Sequence, residues 1–226
     1  MEIAIISLFP QMLAGVFNTS ILKRAQEKNA VSFHYINLRD FATDNYGTVD
    51  DHPYGGGVGM VLKVDVADRS IQYAKEIVGK DAQTILLDPK GSLFTQTVAR
   101  QLATTSSLIF FCGHYEGVDS RIEQLVDKIY SIGDFILTGG EIPTMAIVDA
   151  IVRLVPGVLP QDATRNESFS QKGVLEAPHF TRPAEYKGML VPDILLSGDH
   201  KRIETWRKDH SQKTGERKIK KNSPKS

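Results

Sequence analysis

Residues 84–91 read TILLDPKG, residues 108–117 read LIFFCGHYEG, and residues 128–141 read KIYSIGDFILTGGE. Each segment begins with an apolar, β-branched run that predicts a buried strand, and each then enters a loop containing glycine. In an open α/β sheet, ligands bind beyond the carboxyl ends of the strands, where glycine lets the backbone approach a ligand closely. A single junction of this kind is usually only a tight turn. Three within 55 residues favour a pocket lined mainly by backbone.

The same reasoning extends along the first 160 residues. Apolar runs predict five strands, at 3–8, 31–36, 84–88, 108–112 and 128–133. Helical spacing predicts helices between them, at 11–28, 64–78, 95–103, 121–126 and 144–154. Strands that alternate with helices indicate an α/β fold, with a mostly parallel sheet covered by helices on both faces. Residues 38–62, which include YGGGVGM, have little periodicity and are predicted to be a long loop.

The character of the sequence changes after Pro156. We expect a large domain over 1–160, a polar flexible linker over 161–173, and a small C-terminal domain over 174–226 that carries a basic tail. Only one helix is clear in this last region, from about 199 to 208.

Composition restricts the class of protein. The 226 residues are 41% hydrophobic and contain one cysteine, Cys112, so neither an internal disulfide nor a multi-cysteine zinc site is possible. No apolar run approaches the roughly 20 residues that span a bilayer, and we expect a cytoplasmic protein with no membrane partner.

The net charge is zero, but residues 200–226 hold ten Lys/Arg against three Asp/Glu. Such a basic segment indicates either contact with a polyanion or a solvated tail.

Two common nucleotide sites are disfavoured. A Rossmann fingerprint would place glycines directly after the first strand, but that strand is followed by FPQM, which contains none. A P-loop requires Lys-Ser or Lys-Thr after its glycines, and neither follows YGGGVGM.

Seven segments, in this order, carry a family resemblance: DHPYGGGVGM (51–60), FCGHYEGVDSR (111–121), SIGDFILTGGE (131–141), VPGVL (155–159), ESF (167–169), PHFTRP (178–183) and VPDILLSGDH (191–200). Together they resemble the tRNA (guanine-37-N1)-methyltransferases of the SPOUT class, from Met1 to about Arg207. The resemblance implies an α/β fold with a deep trefoil knot, one of the rare exceptions to unthreaded topology, and a small, mainly helical C-terminal domain. It implies methyl transfer from S-adenosylmethionine to N1 of guanosine 37 in tRNA, by a homodimer with shared active sites.

The resemblance also implies the residues that bind the cofactor. They would be Leu87, Pro89, Gly113, Tyr115, Glu116, Ile132, Gly133, Asp134, Phe135, Ile136, Leu137, Gly139 and Gly140. Tyr115 and Glu116 would flank the methionine moiety, although Glu116 also fits an ordinary loop carboxylate. No cluster has the spacing of a protein metal site. The family's Mg²⁺ assistance would act through substrate oxygens.

Guanine N1 carries a proton and needs a base before it can attack a methyl group. In the family this base is an aspartate just before Ser-Phe, and here the position holds Glu167, with Asp162 as the alternative. Arg153 matches the family's functional arginine, which would anchor the carboxylate or balance charge on guanine O6. A solvated linker charge for Glu167 and an interface ion pair for Arg153 are the structural alternatives.

The remaining polar residues have weaker assignments. By resemblance, the region of Asp50, His52 and Tyr54 approaches the target nucleotide. His114 stands where the family often has arginine, and His179 is expected to be structural. Cys112 is expected to be a small core residue. Two other functions stay open: a SPOUT-class methyltransferase with another RNA target, and a non-catalytic RNA-binding protein.

Overall fold

The central sheet contains five strands, and every neighbouring pair in it runs parallel. A computed structural model describes residues 1–160 and 162–213, and the chain divides into two compact units between Leu159 and Pro160. In chain order, the first unit contains Glu2–Ser7 (β1), Gln11–Phe17 (α1), Ser20–Glu27 (α2), Ser32–Asn37 (β2), Asp50–Asp51 (β3), Val61–Leu62 (β4), Val64–Val78 (α3), Gln83–Leu93 (β5), Gln96–Leu102 (α4), Ser107–Cys112 (β6), Lys128–Ser131 (β7) and Glu141–Val152 (α5).

The sheet has the order β2-β1-β6-β5-β7 and is covered on both faces. Side chains alternate across a strand, so Ile3 and Ile5 of β1 join the apolar core that contains residues of α1, α2, α4 and α5. Ala4 and Ile6 join a second core with the buried residues of α3. Burial on both faces explains why the strands have continuous apolar sequences. The predicted α/β class with a mostly parallel sheet is confirmed.

Three local predictions were wrong. The single helix expected over 11–28 is two helices, because the chain is extended at Thr19 and Ser20 has a φ of 50°. The strand expected to end at the turn near Pro89 continues to Leu93, with a register shift between Leu87 and Ser92. The long loop over 38–62 contains a short 3₁₀ helix, Leu38–Phe41, and β3 pairs with β4 in antiparallel fashion.

The second unit is built from short elements. They are Val174–Leu175 (β8), Glu185–Tyr186 (β9), Met189–Leu190 (β10), Asp193–Leu196 (α6), His200–Asp209 (α7) and Gln212–Lys213 (β11). Strands β8 and β11 pair, as do β9 and β10, both antiparallel. Helix α7 matches the predicted helix, and the Asp199 carboxylate caps it by accepting a hydrogen bond from the Arg202 amide at 3.1 Å. The described part of this unit therefore combines two helices with two small strand pairs, where a mainly helical domain was expected.

No helix among the described residues is both long enough and apolar enough to cross a membrane.

Candidate active site

A cavity of about 400 Å³ lies beside the register shift of β5 and beyond the carboxyl ends of its two neighbours, β6 and β7. Strand β5 contributes Leu87, the loop after β6 contributes Gly113, and the segment after β7 contributes Ile132. The sheet register places the register shift of β5 next to the ends of both neighbours, since Leu87 pairs with Cys112 on one side and with Tyr130 on the other. This is the position at which open α/β sheets bind ligands, and the volume falls within the usual range of about 300–1,000 Å³ for ligand pockets.

Backbone contacts join the two glycine-containing loops that form most of the cavity wall. Gly140 donates its amide hydrogen to the Gly113 carbonyl at 2.8 Å, and His114 forms an antiparallel bridge with Gly139. Gly140 must be glycine, because a Cβ there would lie 2.7 Å from Cys112 Cα and 2.8 Å from the Gly113 amide nitrogen. Such distances are well inside van der Waals contact with backbone that cannot easily move.

Residues 114–117 form a tight turn against the YGGGVGM loop. The Gly117 amide donates to the His114 carbonyl at 3.2 Å, and the Glu116 amide donates to the Met60 carbonyl at 3.1 Å. Tyr115 has a φ of 63°, which is unusual for a residue with a side chain and is often found at functional sites. The Glu116 side chain lies so close to Gly59 that a Cβ at this glycine would come within 2.7 Å of its carboxylate oxygen Oε1. The glycine loop therefore leaves room for the Glu116 side chain.

A buried polar cluster lies behind the cavity at the start of α5. Glu141 is only 2% exposed, and its Oε1 accepts a hydrogen bond from the Ser7 hydroxyl at 2.7 Å. Its Oε2 lies 3.8 Å from His114 Nδ1. Cys112 Sγ lies 3.2 Å from the Thr144 hydroxyl, and burial raises the pKa of the Cys112 thiol. Cys112 is therefore an inert core residue, as predicted.

The structure brings nearly all of the predicted cofactor residues together. Twelve of the thirteen line the cavity, and the exception is Asp134, which is exposed. Sequence reasoning did not assign the other lining residues: Asp88, His114, Gly117, Val118, Tyr130, Ser131, Thr138 and Pro143. Most of them lie within or beside the three junction segments, so their position along the chain was a usable signal. The buried Glu141 was also missed, because a carboxylate after two glycines looks like an exposed helix start.

The two predicted catalytic residues belong to different units. Arg153 directly follows α5 in the first unit and is not among the residues that line the cavity. Glu167 lies in a turn of the second unit, where its carbonyl accepts a hydrogen bond from the Ser170 amide at 3.0 Å. Asp162, the alternative base, forms an exposed ion pair with Arg165 at 3.0 Å.

Other predicted residues have structural partners or are exposed. His179 Nε2 lies at hydrogen-bond distance, 2.9 Å, from Glu176 Oε2, in line with its expected structural role. Tyr54 is fully exposed beside His52, and Asp50 belongs to the strand pair of β3 and β4. Within residues 1–160 and 162–213, no group of three or more His, Cys, Asp or Glu side chains is arranged to hold a metal ion.

The fold and the cavity define an α/β protein whose ligand site is formed by glycine-containing loops after parallel strands. The family model described as tRNA (Guanine-1)-methyltransferase TrmD matches residues 1–222, and the chain belongs to this family. Relatives named tRNA (guanine-N(1)-)-methyltransferase are similar along most of their length. The protein from Carboxydothermus hydrogenoformans is 51% identical over 93% of this chain and 83% of its own. The protein from Bacillus subtilis is 50% identical over 93% of this chain and 87% of its own. The protein from Dictyoglomus turgidum is 50% identical over 94% of this chain and 86% of its own.

Proposed function

We propose that this protein transfers a methyl group from S-adenosylmethionine to N1 of guanosine 37 in tRNA. The observation that carries the proposal is the cavity beside the register shift of β5 and at the carboxyl ends of β6 and β7, in a chain that belongs to the tRNA (Guanine-1)-methyltransferase family. The cofactor and the position in the tRNA come from the resemblance of the loop motifs.

The cavity residues fit the cofactor. A backbone-lined wall offers N–H and C=O groups to an adenine edge, and Gly140 keeps that wall open because a Cβ would collide with Cys112 and Gly113. Glu116 supplies a carboxylate at the rim, which suits the cationic end of the cofactor. Bound S-adenosylmethionine supplies an electrophilic methyl group on a sulfonium centre. The lining residues hold and orient it, and Mg²⁺ enters the proposal only as an ion held by the substrates.

Glu167 is the proposed general base. It accepts the proton of guanine N1, so that the ring nitrogen has a lone pair for in-line attack on the methyl group. Glutamate has the same chemistry as the family's aspartate and is longer by one methylene group. Arg153 is proposed to orient this carboxylate or to stabilise negative charge on guanine O6.

We propose a homodimer in which each site draws residues from both chains. Support comes from apolar side chains that are exposed beside the cavity: Phe135 is 53% exposed, Ile136 81% and Ile142 45%. A cluster of exposed large apolar residues is typical of an interaction surface. A deep trefoil knot in the C-terminal part of the α/β domain and a cytoplasmic location complete the proposal, the latter supported by a lone thiol that cannot form an internal disulfide.

The second unit is proposed to bind tRNA. The last turn of α7 contains Arg207 and Lys208, and the sequence continues into the basic segment 214–226, which lies outside the described residues. Contacts of Lys and Arg with phosphate give affinity without sequence preference.

The deciding experiment is radiolabelled methyl transfer to two tRNA transcripts that differ only in G or A at position 37. Label is expected in the G37 transcript alone, as N1-methylguanosine after nuclease digestion. Equal labelling of both would move the target to another nucleotide, and absence of label from both transcripts would favour a non-catalytic RNA-binding protein.

The shared site has its own test, a mixture of Arg153→Ala and Glu167→Ala chains. Each variant alone is expected to be nearly inactive, and the mixture should recover activity because heterodimers assemble one intact site. An active monomer in sedimentation would overturn the dimer.

A further inference from the structure

The side chains that line the cavity include more acidic than basic groups. Among the described residues that line it, Asp88 and Glu116 are carboxylates, and no lysine or arginine is present. Of the lining residues that the structure describes, only His114 is able to carry a positive charge. S-adenosylmethionine has two cationic groups, the ammonium and the sulfonium, and one anionic group, the α-carboxylate. The two cavity carboxylates suit its two cations, and only His114 is available to pair with its anion.

The His114 ring is buried on the side that carries Nδ1. Its Nδ1 is buried and has no hydrogen-bond partner among the described residues. The nearest acceptor is Glu141 Oε2 at 3.8 Å, and the 3%-exposed Glu141 side chain is fixed by the Ser7 hydroxyl. His114 lines the cavity, and its side chain keeps 20% of its surface exposed. Because Nδ1 is buried, this exposed surface belongs to other atoms of the side chain.

Gly139 keeps the path between the ring and the carboxylate open. A Cβ at this position would lie 2.5 Å from Glu141 Oε2 and would also collide with His114 Nδ1. With glycine there, a movement of about 1 Å brings Nδ1–H to hydrogen-bond distance from Oε2. Phe9 and Tyr115 contact the ring edge to face, with centroids 5.2 Å and 5.0 Å away, and restrict the ring's other movements.

We propose that His114, positioned by Glu141, binds the α-carboxylate of the cofactor. This inference rests on the proposed function and names the residue that recognises one end of its cofactor. The imidazolium donates Nδ1–H to the buried Glu141 carboxylate and Nε2–H to the cofactor carboxylate. Glu141 acts through His114 and is a positioning residue. A hydrogen bond between charged groups contributes more than a neutral one, which suits an anchor for a flexible amino-acid tail.

The test compares two ligands that differ only in the carboxylate: S-adenosylhomocysteine and its decarboxylated analogue, measured by calorimetry on the full chain. The wild type should bind S-adenosylhomocysteine more tightly, by roughly 10- to 100-fold, the range expected for a charge-assisted hydrogen bond. His114→Gln should reduce this preference to within about threefold by weakening S-adenosylhomocysteine alone. His114→Arg should restore a preference, and Glu141→Gln should lower it less than His114→Gln does.

The chain offers a matched control in His34, which pairs with Glu2 at 2.7 Å on the sheet and does not line the cavity. His34→Gln should leave both affinities unchanged. If His114→Gln weakens both ligands equally, His114 only shapes the cavity and the proposal fails. It also fails if the ligand preference survives in His114→Gln. Thermal melting of His114→Gln and of Glu141→Gln, each measured separately, shows whether each variant is folded. A wild type that binds neither ligand would instead overturn the proposed function itself.

Discussion

The two units of this protein are stabilised in different ways. Almost all buried apolar residues of the described chain lie in the first unit, and Ala177 is the only one beyond Val158. The second unit is held by short strand pairs, by the Asp199 cap of α7 and by ring contacts of Trp206, which stacks on His210 with centroids 4.1 Å apart. A large core can hold a cavity wall at fixed geometry, whereas elements with little buried area open locally at low free energy.

This contrast suggests a division of tasks. The first unit provides a rigid pocket in which backbone groups are held by the sheet. The second unit carries the proposed base, in a turn, and the proposed tRNA contacts. Substitutions in the two units should therefore affect different measurements.

The largest expected effect is on the chemical step. Glu167→Gln keeps the size of the side chain and removes its ability to accept the N1 proton. A positioned base is typically worth about 10²–10⁴ in rate, so single-turnover methyl transfer to G37 tRNA should fall by that factor. Affinity for S-adenosylhomocysteine and the melting temperature should hardly change. Glu167→Asp, which has the family's residue, should keep most of the activity.

Asp162→Asn is the matched control for that variant. Asp162 is exposed and paired with Arg165, so its replacement should alter the rate less than about threefold. An inactive Asp162→Asn together with an active Glu167→Gln would transfer the role of base to Asp162.

In the first unit, Gly140→Ala should damage the cavity. The added Cβ meets backbone at 2.7 Å, so the wall must move. Overpacking of this kind costs about 1–3 kcal/mol of stability, and we expect affinity for S-adenosylhomocysteine to fall at least about tenfold.

Gly15→Ala is the control, because a Cβ there has no neighbour within 4 Å. This helical site should gain about 0.4–1 kcal/mol, as measured by denaturant unfolding. Unchanged cofactor affinity in Gly140→Ala would contradict the close approach of the two loops.

A smaller effect is expected from the basic tail. Residues 214–226 contain five lysines or arginines and one glutamate and lie outside the described residues. Their deletion should weaken tRNA binding, and each lost phosphate contact should reduce the salt slope by roughly 0.7–0.9. Filter binding at several salt concentrations measures both quantities, while the single-turnover rate at saturating tRNA should stay constant. An unchanged slope would identify a solvated tail without contacts.

The sequence predicted the first unit better than the second, for a physical reason. Helix α3 has the predicted bounds, because burial of one face gives a helix a repeating apolar pattern. The five central strands were all located, because burial of both faces gives a strand a continuous apolar run. Two-residue strands such as β9 and β10 bury little and impose no pattern. The His114–Glu141 pair was not predicted, since it depends on contact between two loops that are distant in sequence.

The smallest expected effect concerns stability alone. Glu2 accepts hydrogen bonds from His34 at 2.7 Å and from Ser32 at 2.9 Å, and the His34 bond is the main reason that the pKa of Glu2 is below its ordinary value of 4.5. A lowered pKa in the folded state means that this stabilisation is complete above the unfolded value and is lost as the pH falls through the folded one.

Glu2→Gln should therefore reduce the free energy of unfolding near pH 6 and have less effect near pH 3. Both side chains are partly exposed, at 44% for Glu2 and 34% for His34, so solvent screening limits the difference to about 1 kcal/mol or less. Urea unfolding of the wild type and the variant at the two pH values measures it. Because Glu2 is the first residue of β1, at the amino ends of the parallel strands and so away from the cavity, the variant should bind S-adenosylhomocysteine normally. A change in cofactor affinity would show that the edge of the sheet and the cavity are coupled, and that the first unit is less rigid than its core suggests.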